Sequence, residues 1–380
     1  MSDTEEAVFA WDCRYFRGDK PCCHRRACLH CAHYRPIRQR ILIIKLGAMG
    51  DVIRTTPILT GLRKAFPDSH ITWLTLPNIM PLLEGIGIDR LLADDWRTTR
   101  LLLSESFDIA VCLDKETDVL ALMNRVSAVQ KFGFLLGKYG QVVPAGDSST
   151  FLFHLGVSDE LKFRVNRKSY TELVFDCLQL PYSGEKYLLP ELPLESTWAR
   201  ETLQREGCPP GRRRIAFNTG AGPVFATKKW TSEGYAELGR RLLREFDAHI
   251  LLLGGESEKE RNLGIAEGIA GGPRVSLPDT RDSIRRLTAL IGECDLMVTS
   301  DTLGMHLAIG QEKPAVALFG PTCAQEVDLF GHGEKIVGTF ECCPCYLSAC
   351  PKEISCMEAL EAETVLEACR RQLSPGSQGR

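Results

Sequence analysis

Between residues 40 and 135, short apolar runs alternate with stretches whose apolar positions recur at helical spacing. Ile41–Leu46 is apolar except for Lys45, the pattern of a strand covered on both faces. A glycine-bearing turn from Gly47 to Asp51 follows. Val52–Phe66 then carries apolar residues at helical spacing and stops before Pro67, which predicts one helix. Further strands are expected at Ile71–Leu76, Arg90–Ala93, Ile109–Leu113 and Lys131–Leu135, with helical stretches between most of them. Strand-then-helix repetition predicts a parallel, doubly wound sheet.

The pattern pauses at Leu180–Leu194, where Pro181, Pro190 and Pro193 read as a linker. It then resumes with strands expected at Arg214–Asn218, His249–Leu253, Leu296–Thr299 and Ala315–Phe319. Helices are expected near Ser232–Phe246, Glu258–Ala270, Ser283–Gly292 and Thr302–Ile309. The expected fold is therefore α/β, two Rossmann-like domains at 40–180 and 196–340 joined by a linker at 181–195. Cysteine-rich extensions lie at 1–39 and 341–380. A chain of 380 residues is long enough for two such cores. Open α/β sheets bind ligands beyond the carboxyl ends of their strands, so the expected site is a cleft between the two halves. No sequence repeat relates the halves in a way that would demand a solenoid.

Charge changes this picture in one place. The net charge of −3 gives the whole chain no field suited to nucleic acid, so none is expected as a partner. From Cys13 to Arg40, however, eight Lys/Arg face the single acid Asp19. That basic segment reads either as an ordinary solvated surface or as a contact for anionic lipid headgroups or phosphates. No apolar run reaches the ~18 residues that cross a bilayer. The opening Met-Ser-Asp-Thr-Glu-Glu is acidic and lacks the apolar stretch of a signal peptide. A cytoplasmic location follows as the expectation, with any membrane contact peripheral on the inner membrane. Disulfides are rare in that compartment, which brings metal and catalytic roles forward for the 16 cysteines.

Four segments carry candidate chemistry. In Lys45-Leu-Gly-Ala-Met-Gly-Asp51-Val-Ile-Arg54, a strand and a tight turn lead to an acid opening a helix. An Asp there is either a general base for a hydroxyl or a plain helix cap. The turn lacks the G-x-G-x-x-G of a dinucleotide site. In Asn218-Thr219-Gly220-Ala-Gly-Pro223 the glycine-rich loop after a strand lets backbone N–H groups approach phosphate. Lys228, in Lys228-Lys-Trp230, could neutralise a diphosphate; the alternative is a flexible turn with solvated lysines. In Thr299-Ser-Asp301-Thr302-Leu-Gly304-Met-His306, Asp301 and Thr302 can both cap a helix and Gly304 permits close approach. His306, one turn on, equally suits a core histidine. Leu318-Phe-Gly-Pro-Thr322 is another strand-to-loop turn.

Taken in order, these segments resemble the heptosyltransferases, glycosyltransferase family nine, whose hallmarks are similar to K-x-x-x-x-G-D, K-x-W, D-T-x-x-x-H and F-G-P-T. The resemblance covers roughly Arg40 to Cys369. It implies a GT-B fold with an N-terminal acceptor domain and a C-terminal domain binding ADP-heptose, and metal-independent transfer with inversion at the anomeric carbon. It further implies Asp51 as catalytic base and Lys228 as the cation for the donor phosphates. Thr219 and Gly220 then belong to the donor loop, Asp301 binds the sugar hydroxyls, and Thr302, Gly304 and His306 shape the diphosphate loop. The acceptors of the family are anionic and lipid-linked, for which Lys45 and Arg54 are the candidate contacts. The chain departs from the pattern at Leu303, where members often carry Gly. Two other function classes fit the same architecture: a nucleotide-sugar-binding module without transfer, and a nucleotide-sugar epimerase.

The cysteines cluster at both ends. Cys342, Cys345, Cys350 and Cys356 form C-x2-C-x4-C-x5-C, enough thiolates for a zinc ion or an Fe–S centre; a similar tail occurs in several heptosyltransferase relatives. Cys13, Cys22, Cys28 and Cys31 could close a second site, with Cys23, His24, His30 and His33 as spare ligands. The alternative is free thiols in irregular loops. The six scattered cysteines are expected as small buried hydrophobes, and no cofactor is expected for the transfer itself.

Overall fold

The computed structural model describes residues 9–281 and 283–374, with only the backbone of 223 and 224. The acidic opening hexapeptide lies outside the described residues. Two compact units emerge. The first comprises Met1–Gly47, Ile58–His154 and Val174–Glu185, and the second Ala48–Pro57, Leu155–Leu173 and Lys186–Arg380.

The first unit is built on β1 (Gln39–Ile44), β2 (Ser69–Thr75), β3 (Arg90–Ala93), β4 (Ser106–Cys112), β5 (Ser127–Leu136) and β6 (Val142–Pro144), in the order β3-β2-β1-β4-β5-β6. All neighbours are parallel except β5 and β6. Ile41 to Ile44 are fully buried, as the unbroken apolar run requires of a strand with both faces covered. Leu42, Ile44, Ala110 and Cys112 meet Leu120, Met123 and Phe134 in one apolar core. β5 starts four residues before the expected strand, because the exposed polar positions near Gln130 break the apolar run without breaking the ladder.

The second unit repeats the architecture with β7 (Arg213–Asn218), β8 (Ala248–Leu253), β9 (Val275–Ser276), β10 (Leu296–Ser300), β11 (Ala315–Phe319) and β12 (Gly333–Val337), in the order β12-β11-β10-β7-β8-β9. Its core joins Phe217, Trp230, Leu252 and Val298 to Val365, Leu366 and Cys369 of the terminal helix Ala362–Leu373. The six cysteines outside the two clusters are all buried, as expected of small apolar side chains. All 16 are free thiols.

Two departures from the sequence pattern shape the site. The single helix expected over Val52–Phe66 is split into Met49–Ile53 and Ile58–Ala65. Pro57 lacks an N–H and disfavours helical geometry in Thr56, and the hydroxyls of Thr55 and Thr56 donate to the carbonyls of Asp51 and Ile53 instead. The second departure follows from the first. The short piece 48–57 belongs by its contacts to the second unit, although β1 before it and the helix after it belong to the first. The helix Pro193–Arg205 begins inside the expected linker, with Pro193 in its first turn, where the missing N–H costs nothing.

Candidate functional site

β10 ends at Ser300, and the chain then turns through Asp301 and Thr302 into the helix Leu303–Gly310. Thr302 is the cap residue in extended geometry, and its hydroxyl accepts from Asn218 Nδ2 at 2.7 Å rather than bonding its own helix. Gly304 is needed because a Cβ there would stand 2.9 Å from Asn218 Cγ and from Met297 Cε. The turn after β10 is thus keyed to the end of β7.

Asp301 is the centre of this turn. Lys228 donates to its carbonyl at 2.8 Å and lies 3.5 Å from its carboxylate, while His306 Nε2 stands 3.9 Å from the other carboxylate oxygen. Burial works to raise the Asp301 carboxyl, but Lys228, His306 and Arg54 outweigh it and hold the group below its usual range. Burial drives His306 the other way, to about 4, with Asp301 opposing and Arg54 assisting, so the imidazole is neutral near pH 7. Its Nδ1 is buried without a hydrogen-bond partner.

His306 is also the joint to the catalytic candidate. A Cβ on Gly50 would stand 2.6 Å from the His306 ring, so only glycine lets the helix Met49–Ile53 approach this closely. That helix is capped by Ala48 rather than by Asp51. Asp51 sits in its first turn, 40% exposed, with Arg54 Nη2 at 2.7 Å. The Arg54 guanidinium lies 3.9 Å over the Tyr170 ring. Burial disfavours its charge, yet Asp51, Tyr170 and Glu326 raise its pKa above the ordinary arginine value. Asp51, Arg54, Lys228, Asp301, Thr302, Gly304 and His306 therefore all fall in the second unit.

Two of the expected ligands have partners within the fold. Lys45 is buried in the first unit, where its ammonium donates to Asp114 and to the carbonyl of Gly47. It pins the turn after β1. Burial pushes the Asp114 carboxyl up, with Lys45 and the N–H of Leu46 opposing. Thr219 is buried too, its hydroxyl donating to Asn262. Gly220 lies close to Glu258, whose carboxylate carbon would stand 2.7 Å from a Cβ there.

The cysteine-rich tail reaches this site, which the spacing of its cysteines did not announce. The N–H groups of Cys345 and Tyr346 donate to the Pro321 carbonyl at 3.0 and 2.8 Å. Arg164 donates to the carbonyl of Glu341 at 2.7 Å, and Thr227 to that of Leu347 at 2.8 Å. Tyr346 stacks on Phe163 at 5.5 Å under Lys162, and meets Phe225 edge-on. Within the tail, Cys343 faces the thiols of Cys356 and Cys342, whereas Cys342 and Cys350 are exposed. Cys343, absent from the expected set, is thus the buried partner. At the other end Cys13, Cys22, Cys28 and Cys31 line one cavity of about 20 Å³ with His24 and His33. Among the described residues, no three His, Cys, Asp or Glu side chains are drawn together closely enough to hold a metal as they stand. Also among the described residues, no helix is long and apolar enough to cross a membrane. A separate cavity of about 330 Å³ in the first unit is lined by Leu46, Leu74, Asp94, Thr99 and Asp118.

The chain is similar to known proteins. Residues 96–354 match the model of glycosyltransferase family 9 (heptosyltransferase). Lipopolysaccharide heptosyltransferase 1 of Pseudomonas aeruginosa is 26% identical over 329 residues, covering 82% of this chain and 87% of that protein. A glycosyltransferase family 9 crystal structure from Veillonella parvula superposes with a TM-score of 0.68 at 21% identity, over 89% of this chain and 97% of that one. The ADP-heptose lipopolysaccharide heptosyltransferase II of Escherichia coli gives 0.63 at 18% identity, over 88% and 98%. The fold is the one these two structures share, two parallel-sheet Rossmann-like domains of the GT-B class.

Proposed function

The chain belongs to glycosyltransferase family 9, the heptosyltransferases, and on that premise we propose that it moves a heptose or closely related sugar from an ADP-sugar onto a lipid-linked core saccharide. The observation that carries this reading is the contact of Gly50 with His306. It brings the helix bearing Asp51 into the same unit as Lys228 and Asp301.

In the proposed reaction the Asp51 carboxylate takes the proton of an acceptor hydroxyl, whose oxygen then attacks the anomeric carbon. The bond from that carbon to the diphosphate breaks on the opposite face, which inverts the centre. Negative charge develops on the departing diphosphate, and Lys228 is the cation positioned for it, a role in which a fixed charge lowers the barrier. Asp301 is proposed to hold sugar hydroxyls, with its carboxylate kept ionised by Lys228. Arg54 orients Asp51 and presents the remaining positive charge toward an anionic acceptor. His306, being neutral, packs and orients rather than shuttling protons. Thr302 and Gly304 shape the turn, and Gly220 keeps the neighbouring loop open.

The transfer itself needs no cofactor in this reading. The two cysteine clusters are proposed as structural metal sites, zinc or iron–sulfur, outside the chemistry. The chain is proposed to work in the cytoplasm, with its basic N-terminal segment available for peripheral contact with the inner membrane. Family membership favours transfer over epimerisation. The test is direct: purified protein is given ADP-heptose with and without a lipid-linked core acceptor, and ADP release and product mass are followed. Acceptor-dependent ADP release with a product heavier by one sugar is expected. Donor binding without any turnover on such acceptors would reduce the protein to a binding module.

A further inference from the structure

Residues 9–38 hold no helix or strand, only turns and the isolated bridge between Cys13 and Pro36. Within this stretch the only buried hydrophobic residue is Cys13, while Phe9, Trp11, Leu29 and Tyr34 are exposed. Thirty residues without a core of their own cannot be ordered by apolar burial. Their fastenings to the first unit are few: Arg14 donates to the Ser69 carbonyl and to Asp89, and the N–H of Arg38 to the Asp68 carbonyl. These lie at the edges of the segment and leave its middle, residues 20–33, unexplained.

What the middle does have is thiols. Cys13, Cys22, Cys28 and Cys31 line the same small cavity, with His24 and His33 and with no acidic side chain. The C-x2-C pair is closed by a turn in which the N–H of Cys31 donates to the Cys28 carbonyl at 3.2 Å. The turn after Cys22 is closed the same way, from Arg25. These turns bring Cys22, Cys28 and Cys31 to the wall of the cavity, and Cys13 reaches it from its bridge with Pro36; four thiols around one space are the donor set of a tetrahedral metal. His24, whose ring stacks on His33 at 4.0 Å, has a buried Nε2 with no hydrogen-bond partner. An orphaned polar atom in a thiol-lined cavity marks a missing charge-bearing neighbour.

We propose that the thiolates of Cys13, Cys22, Cys28 and Cys31 close around a single tetrahedral metal ion of the Zn²⁺ type, and that this ligation is what folds the N-terminal segment. It specifies, for this end of the chain, the structural-metal reading above and is independent of the transferase reading. Four thiols and two imidazoles with no carboxylate around one small cavity are soft donors of the kind a tetrahedral Zn²⁺ site uses. The thiols must turn inward from the wall to ligate, losing their protons as they bind. Four thiolates on a divalent ion leave an excess of negative charge, and His24 and Arg26, which line the same cavity, are there to offset it.

The experiment uses the full chain, purified without a metal-binding tag. Elemental analysis should find zinc whose content falls by one per chain in Cys28→Ser, and that one zinc should remain in Cys350→Ser whatever the C-terminal cluster holds. Stripped wild-type protein titrated with Co²⁺ should develop thiolate-to-cobalt charge-transfer absorption saturating at one equivalent per N-terminal site, absent from Cys28→Ser. Limited proteolysis after chelation should cut between residues 9 and 38 at least ten times faster than before. If Cys28→Ser misfolds, Co²⁺ titration of Cys350→Ser, which keeps the N-terminal thiols, and chelation-dependent proteolysis of the wild type between residues 9 and 38 decide. The proposal is overturned by protein that binds neither Zn²⁺ nor Co²⁺, by iron–sulfur absorption that vanishes in Cys28→Ser, or by loss of the same metal in Cys350→Ser. None of these outcomes touches the transfer assay.

Discussion

Each unit carries a lysine–aspartate pair at the end of its sheet, and the two pairs do different work. In the first unit Lys45 and Asp114 have side chains 5% and 4% exposed, and both are saturated by backbone partners of the turn they close. In the second, Lys228 and Asp301 are each 19% exposed and stand 3.5 Å apart, with His306 and Arg54 close by. The first pair is a closed structural bolt. The second is less deeply buried, and in the proposed function it exchanges one partner for a ligand. The lesson is that a lysine beside a glycine turn says little until its counter-ion is known. Burial with a dedicated acid takes it out of chemistry, and partial exposure beside a helix N-terminus keeps it in.

The sharpest way to break this comparison is to remove each lysine in turn. Lys45→Met leaves Asp114 buried without its cation, and breaking a buried pair in this way costs about 3–5 kcal/mol. A large fall in the denaturant midpoint is expected, partly restored by Asp114→Leu in the same chain. An unchanged midpoint would mean the pair is solvated and the contrast is false. Lys228→Ala should act in the opposite sense, leaving stability nearly intact while weakening donor binding by about 1.5–3 kcal/mol, the worth of one charge-assisted contact. Calorimetry with an ADP-sugar reads this directly.

Acid titration sharpens the comparison further. His306 and His249 are both held at about 4 by burial, against roughly 6.5 in an unfolded chain. Between those values the unfolded state binds protons that the folded state refuses. Stability therefore falls as pH drops from about 6.5 to about 4, by up to about 3 kcal/mol per histidine. His249 lies away from Asp301, bonded to Ser276, so His249→Gln should flatten part of that slope and leave transfer unchanged. A melting temperature independent of pH in this window would contradict the buried, neutral assignment. The smallest expected effect is that of Gly50→Ala. Its Cβ meets the His306 ring and must displace it by a fraction of an ångström, so roughly tenfold slower transfer with little loss of stability is the expected reading.

Much of this was legible in the sequence because it is local. Ile41–Ile44, Ile250–Leu253 and Ala315–Phe319 announce buried strands by unbroken apolar character, and Asp51, Lys228 and Asp301 lie in the loops and helix starts that follow strands. What could not be read was set by partners far along the chain. Nothing near Lys45 signals that Asp114, sixty-nine residues on, will neutralise it. Nothing near Thr219 points to Asn262. The break at Pro57 was readable and outweighs the apolar periodicity that runs through it. The tail is the clearest case. Its cysteines drew attention to ligands, while its docking rests on the main chain of Cys345 and Tyr346 and on Arg164 and Thr227, whose spacing carries no pattern.

The central claim is that Asp51, which the Gly50–His306 contact holds in the second unit, is the base for sugar transfer. Single-turnover transfer and donor affinity measured side by side for wild type and Asp51→Asn test it most directly. Loss of a general base slows the chemical step by about 10²–10⁴, whereas the amide keeps the shape of the site and leaves the binding of ADP-sugar at Lys228 and Asp301 within about twofold. Transfer by Asp51→Asn at the wild-type rate, with donor affinity equally unchanged, would contradict the account.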